Sequence, residues 1–323
     1  MAEPTGERPY GDDQIWQLVK SLNSLHEGDL GVAMLVACGE PAVSLLRQVL
    51  LRGKPGTIAK PRQRVVQALA ELGAKEVLLE YLRTPRQIAD PLIQLGEEAV
   101  ENTACRALAQ WQTEDVFCEL LYFAERRPLA GALEALAVFR RPEGIPYFVR
   151  ALGDDIGYRP AEEALRALGE TVWPALIDAA RTPDPSRELE SPSGLLRRVR
   201  AVRLLADAAL GPEYWPALEP LIYDSDYNLV AEACLLALRI APENVCDDVV
   251  KRLFKAMDFV DWFVKTEIED TLCEQFAKVN GKIGSEIDRR RHLLEPHFDP
   301  GLPVLLAVER RVTGAEAQRP LRK

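Results

Sequence analysis

Three histidines, six cysteines and fifty carboxylates are the groups from which this 323-residue chain would assemble reactive chemistry. His26 is followed at once by Glu27, but one His-Glu pair supplies too few ligands for a metal ion, and LHEGD reads as an exposed turn. His292 and His297 stand five residues apart with Pro296 between them, so their imidazoles do not share a helix face. Asp224-x-Asp226-x-Asn228 opens like a calcium loop, yet Leu229 stands where the bend needs glycine and Leu235 where a bidentate glutamate belongs. Helix capping is the expected role of Asp226. The cysteines (Cys38, Cys105, Cys118, Cys234, Cys246 and Cys273) contain no CxxC pair and lie mostly among apolar neighbours, so buried reduced thiols are expected. No nucleophile elbow, phosphate-binding loop, dinucleotide fingerprint or zinc-protease string occurs. No catalytic residue, cofactor or metal ligand is assigned, and a non-enzymatic role is expected.

Binding residues are easier to find. Arginines gather in three places: Arg62 and Arg64 with Arg52, Lys54 and Lys60 along one connection, Arg197, Arg198, Arg200 and Arg203 near the start of a helix, and Arg289 to Arg291 at the end of another. In the second group, Leu195, Val199, Val202, Leu205 and Ala206 share one face at 100° per residue, leaving Arg200 and Arg203 on a solvated face with Asp207. Trp111, Trp173 and Trp215 sit at turns, where they read as wedges between helices. Trp262 and Phe263, with Tyr223 and Tyr227 earlier in the chain, are the aromatic side chains that would anchor a peptide or partner helix. The candidate partner-binding set is therefore Tyr223, Tyr227, Trp262, Phe263, Arg197, Arg200 and Arg203.

Forty basic against fifty acidic residues leave a formal charge of −10, which argues against a protein whose main work is neutralising phosphate. A protein partner is expected, not nucleic acid. No run of about 18 apolar residues is present and the start lacks a basic-then-apolar leader, so no membrane association is expected and the reading is cytoplasmic.

The elements that must hold these residues are helical. In RQRVVQALAELGAKEVLLEYLRTP, Val65, Val66, Leu69 and Leu72 keep helical spacing, Gly73 breaks it, and Val77, Leu78, Tyr81 and Leu82 restart it. The same grammar recurs with turns at Gly39, Thr113, Arg141-Pro142, Gly169, Gly211, Ala241-Pro242 and Asn280-Gly281, a spacing of about 35 residues. Strand patterns are nearly absent. Longer connections are expected at 56–64, 83–98 and 181–194, the last reading as an exposed inserted loop. Residues 1–11 read as disordered, and a polar basic tail ends the chain.

The segment YDSDYNLVAEACLLALRIAPENVCDDVVKRL places Asp224 and Asp226 before a helix carrying Val230, Ala233, Ala237 and Leu238. It resembles the HEAT-like repeats, with looser copies in RPAEEALRALG and TACRALAQW. The resemblance implies an all-α fold: an α-α superhelix, or solenoid, of about eight HEAT-like hairpins spanning 29–298. Residues 1–28 would then hold an N-terminal segment and capping helix, and 299–323 a C-terminal capping helix and basic tail. It also implies a scaffold or adaptor whose second helices line a concave, partner-binding face. Two other HEAT-like activities stand as alternatives: a bilin lyase-like enzyme, and a nucleic-acid binder using the arginine clusters.

Overall fold

Alanine and leucine at three- and four-residue spacing wind the regular segments of this chain into helix, and among the described residues there is no strand. The structure is a computed structural model that describes residues 11–84, 86–184, 190–208, 210–292 and 299–317. His297, residues 185–189 of the inserted loop, the first ten residues and the basic tail from 318 lie outside them.

The helices divide between two compact units. The first contains α1 (Asp12–Ser21), α2 (Gly28–Cys38), α3 (Glu40–Arg52), α4 (Lys60–Glu71), α5 (Lys75–Arg83), α6 (Pro91–Leu108), α7 (Glu114–Arg126), α8 (Ala130–Phe139), α9 (Ile145–Ala151) and α10 (Tyr158–Leu168). The second contains α11 (Trp173–Arg181), α12 (Pro192–Asp207), α13 (Trp215–Leu218), α14 (Tyr227–Ile240), α15 (Cys246–Ala256), α16 (Trp262–Glu274), α17 (Phe276–Arg291) and α18 (Leu302–Ala317), together with Leu152–Asp154.

Within each unit a helix packs on its neighbour in sequence and on the helix two places along. In the first unit α2, α4, α6, α8 and α10 form one layer by successive contacts, and α1, α3, α5 and α7 lie against it as a second. In the second unit α12, α14, α16 and α18 form the corresponding layer, backed by α11, α13, α15 and α17. Small side chains allow this approach. A Cβ at Gly131 of α8 would sit 2.4 Å from the Asn102 carbonyl oxygen of α6. Central helices consequently bury several faces: in α14 every residue from Leu229 to Leu238 is buried.

Turn chemistry follows the sequence at most hairpins. Gly39, Gly73 and Gly169 adopt φ of 71°, 74° and 63°, the left-handed region that glycine enters without steric cost. Arg140 takes the same region at φ 51° between α8 and α9. Asp226 caps α14 as expected, its carboxylate accepting from the backbone N–H groups of Asn228 and Leu229 at 2.9 and 3.0 Å.

Three expectations are corrected. The stretches 60–64, 91–98 and 192–194 belong to α4, α6 and α12 rather than to connections. Pro61, Pro91 and Pro192 stand in the first turn, where a missing N–H costs nothing, so these prolines start helices instead of ending them. Asn280-Gly281 is no turn, because α17 runs through it and the break falls at Gln275. Val279, Ile283, Ile287 and Arg290 are all buried on one continuous face, and that packing outweighs the poor helix propensity of Asn-Gly. The apolar surface of α12 is also wider than expected: Ala201 and Leu204 are buried as well as Val199, Val202 and Leu205, since the helix lies between α11 and α14, while Asp207 on the polar face is exposed.

Candidate functional site

The last four carbonyls of a helix have no intrahelical donor, and they carry the negative end of its dipole. In this protein arginines from elsewhere in the chain serve many of those ends. Arg64 donates to the carbonyls of Leu22 and Ser24 after α1 at 2.9 and 2.7 Å. Arg62 and Arg86 both reach the Leu50 carbonyl near the end of α3. Arg150 donates to Ala124 of α7, Arg198 to Ala180 of α11 and Arg239 to Ala206 of α12, each at 2.8 Å. Arg290 donates to Phe254 of α15 at 2.7 Å. A guanidinium suits the task because its planar fork can serve a carbonyl and a carboxylate together. Arg198, almost wholly buried, also pairs with Glu190 and Asp224 at 2.6 Å each.

The arginines proposed as binding residues are engaged in the same way. Arg197 donates to the Thr182 carbonyl at 2.9 Å, and Arg200 to those of Leu152 and Asp154 at 2.6 and 2.9 Å. Arg203 bridges two carboxylates, bonding Glu232 closely and Glu267 at 3.1 Å. Burial pushes the Glu232 carboxyl above the usual range against the pull of Arg203, and neighbouring Glu267 adds to the push. These side chains hold helices together; they do not form a basic stripe.

The aromatic residues are placed differently. Trp262 and Phe263 open α16, Tyr227 opens α14, and Tyr223 ends the short 3-10 turn before it. Asp261 fixes the start of α16 by accepting from the N–H groups of Phe263 and Val264 at 2.9 and 3.0 Å. Trp262, Phe259 and Phe263 are 76%, 61% and 49% exposed, large apolar surfaces left in water. They are nonetheless ordered against other groups. Phe259 stacks on Tyr227 with ring centroids 4.2 Å apart and planes 12° from parallel. Trp262 meets Phe263 edge-on at 6.0 Å, and Arg203 lies over Phe263 at 5.5 Å. Lys255 of α15 stands 5.9 Å above Tyr227. Tyr223 lies slightly apart, under Arg252 at 3.8 Å, its hydroxyl donating to Asp248 at 2.9 Å. That bond raises the Tyr223 hydroxyl above its ordinary value, and Arg252 lowers the Asp248 carboxyl.

Tyr227, Trp262 and Phe263 thus belong to helices α14 and α16 of one layer, the first helices of their hairpins rather than the second. Phe259 and Lys255 join them without having been singled out by sequence. Phe259 precedes Trp262 by three residues, a spacing that was the available signal.

One further polar cluster is internal. In the first unit Glu97 accepts from Arg62 and from the Tyr81 hydroxyl (2.7 Å), while Glu101 pairs with Arg127 at 2.8 Å. Desolvation pushes Glu101 up to about 7, with Arg127 opposing. His26 is exposed, and the His292 ring stands 2.6 Å from the Asp288 carbonyl oxygen. Among the described residues no three His, Cys, Asp or Glu side chains converge to hold a metal, and no helix is long and apolar enough to cross a membrane. Cys38, Cys105 and Cys234 are buried as expected, with burial pushing Cys234 up to about 12, whereas Cys118 is exposed. A cavity of about 390 Å³ between α14, α15 and α17 is lined by Ala241, Cys246 and Asp247, with Lys278 and Lys282 on one wall. No protein-family model matches this chain, and no curated protein matches it.

Proposed function

We propose that this chain is a HEAT-like helical-repeat adaptor that binds a protein partner and performs no chemistry of its own. The observation that carries the reading is two ordered ring pairs near the heads of α14 and α16, Tyr227 with Phe259 and Trp262 with Phe263, of which Phe259, Trp262 and Phe263 are exposed. Rings held in place before binding lose little conformational entropy on contact, and Trp and Tyr dominate interface energetics. The layered packing of successive hairpins within each unit, with left-handed turns at Gly39, Gly73 and Gly169, supports the repeat assignment. The middle arginine cluster does not favour a nucleic-acid reading, because Arg197, Arg198, Arg200 and Arg203 are engaged by carbonyls and carboxylates.

The test is capture from the native lysate by wild type and by a Trp262→Ala/Phe263→Ala variant, with helix content checked by circular dichroism. A partner retained by the wild type and lost by the folded variant is expected. Equal recovery by both, or no reproducible partner with folded bait, would count against the reading.

A further inference from the structure

We infer that the aromatic patch at the heads of α14 and α16 docks an acidic, hydrophobic segment of a partner protein, an inference that rests on the adaptor reading above. The argument is the distribution of lysine. Of the ten lysines in the chain, none falls between Lys75 and Lys251, and five fall between 251 and 282. Two of the five serve the fold: Lys278 donates to the Leu238 carbonyl near the end of α14 at 3.2 Å, and Lys282 pairs with Asp247 at 3.0 Å.

Three of those lysines flank the rings. Lys255 lies over Tyr227, and Lys251 precedes it by one helical turn on α15, both exposed. Lys265 follows Trp262 by three residues and so shares its side of α16. Among the described residues no carboxylate lies within ion-pair distance of Lys251, Lys255 or Lys265. The neighbouring acids, by contrast, are engaged within the unit: Asp248 by Arg252 and Tyr223, Asp258 by Arg290, Asp261 by its own helix, and Glu232 and Glu267 by Arg203. The patch therefore presents uncommitted positive charge around apolar rings, in a chain of net charge −10.

An acidic segment fits that arrangement best. Its apolar side chains would meet Phe259, Trp262 and Phe263, and its carboxylates the three lysines. A nucleic acid or an anionic bilayer gains most from a continuous basic track, whereas these lysines are set among apolar rings that such a ligand would leave unmatched.

The experiment uses the full chain and a fluorescein-labelled peptide of about 12 residues, Glu and Asp interspersed with Leu and Phe, against its counterpart with Lys at every acidic position. Fluorescence anisotropy is expected to detect salt-sensitive binding of the acidic peptide only. Affinity should fall about tenfold or more in a Lys251→Glu/Lys255→Glu/Lys265→Glu variant. The corresponding triple glutamine variant should show a smaller loss, and Trp262→Ala should also weaken binding. Absence of acidic-peptide binding, equal binding of the basic peptide, or tighter lysine-dependent binding of phosphatidylserine vesicles or oligothymidine overturns the inference. If the acidic peptide fails while a lysate partner still depends on Trp262, the adaptor reading stands and only the partner's chemistry is wrong. Failure of both removes the adaptor reading too.

Discussion

A guanidinium placed at the end of a helix does two things at once: it supplies donors to orphan carbonyls and positive charge to the negative end of the dipole. Arg198 does both while almost wholly buried, and it pairs with two partly exposed carboxylates. Arg198→Lys keeps the charge but loses the fork, so one or more buried acceptors go unserved. The expected cost is about 1–3 kcal/mol in denaturant unfolding, and an unchanged midpoint would show that the fork is dispensable. Glu101 makes a prediction of opposite character. Its carboxyl is held near pKa 7 by burial, above the ordinary carboxylate value that it regains on unfolding. The native state therefore holds this proton more tightly, and stability is lost as the pH rises from about 4.5 through about 7. Glu101→Gln removes that dependence while Arg127 keeps Glu98 at 2.9 Å. Relative to wild type, the variant is expected to gain of order 1–2 kcal/mol above pH 7.5, the difference vanishing near pH 5. Parallel stability curves for the two proteins would refute the assignment.

Glycines act at the scale of elements, and their substitutions should differ in sign. Gly281 lies inside α17 with nothing near its missing side chain, so Gly281→Ala should stabilise by about 0.5–1 kcal/mol through helix propensity alone. Gly131, also helical, has the backbone of Asn102 in the way, so Gly131→Ala should lower the unfolding midpoint despite the same propensity gain. Thermal unfolding of the pair checks both; a stabilised Gly131→Ala protein would mean that α6 and α8 separate cheaply. Ala233 on α14 is buried between helices, and Ala233→Asp is expected to cost several kcal/mol by burying an unpaired charge. A folded variant of unaltered stability would refute that assignment of the α14 face.

Within each unit, the main contacts among the described residues are short in sequence: helices meet neighbours one and two places along. In a nearest-neighbour repeat array, the arrangement proposed above, stability is close to a sum of local terms and disturbances stay local. Hydrogen exchange of the Gly131→Ala protein should therefore quicken in α6, α7 and α8 while α14 and α16 keep wild-type protection. Uniform acceleration through both units would show global cooperativity instead.

Helix class, hairpin rhythm and most turns were legible in the chain because they depend on local quantities: 3.6-residue periodicity, glycine's access to positive φ, and the Asp226 cap. The boundaries at Pro61, Pro91 and Pro192 were misread because proline is a poor interior residue and a good first-turn residue, and only its position in the finished helix distinguishes the two. Of the candidate site, Trp262, Phe263 and Tyr227 could be named in advance as rings at helix starts. Tertiary structure alone decided that their neighbours leave them in water, and that Arg197, Arg200 and Arg203 turn to carbonyls and carboxylates. Periodicity says which side chains share a face; whether that face meets solvent or another helix depends on what packs against it.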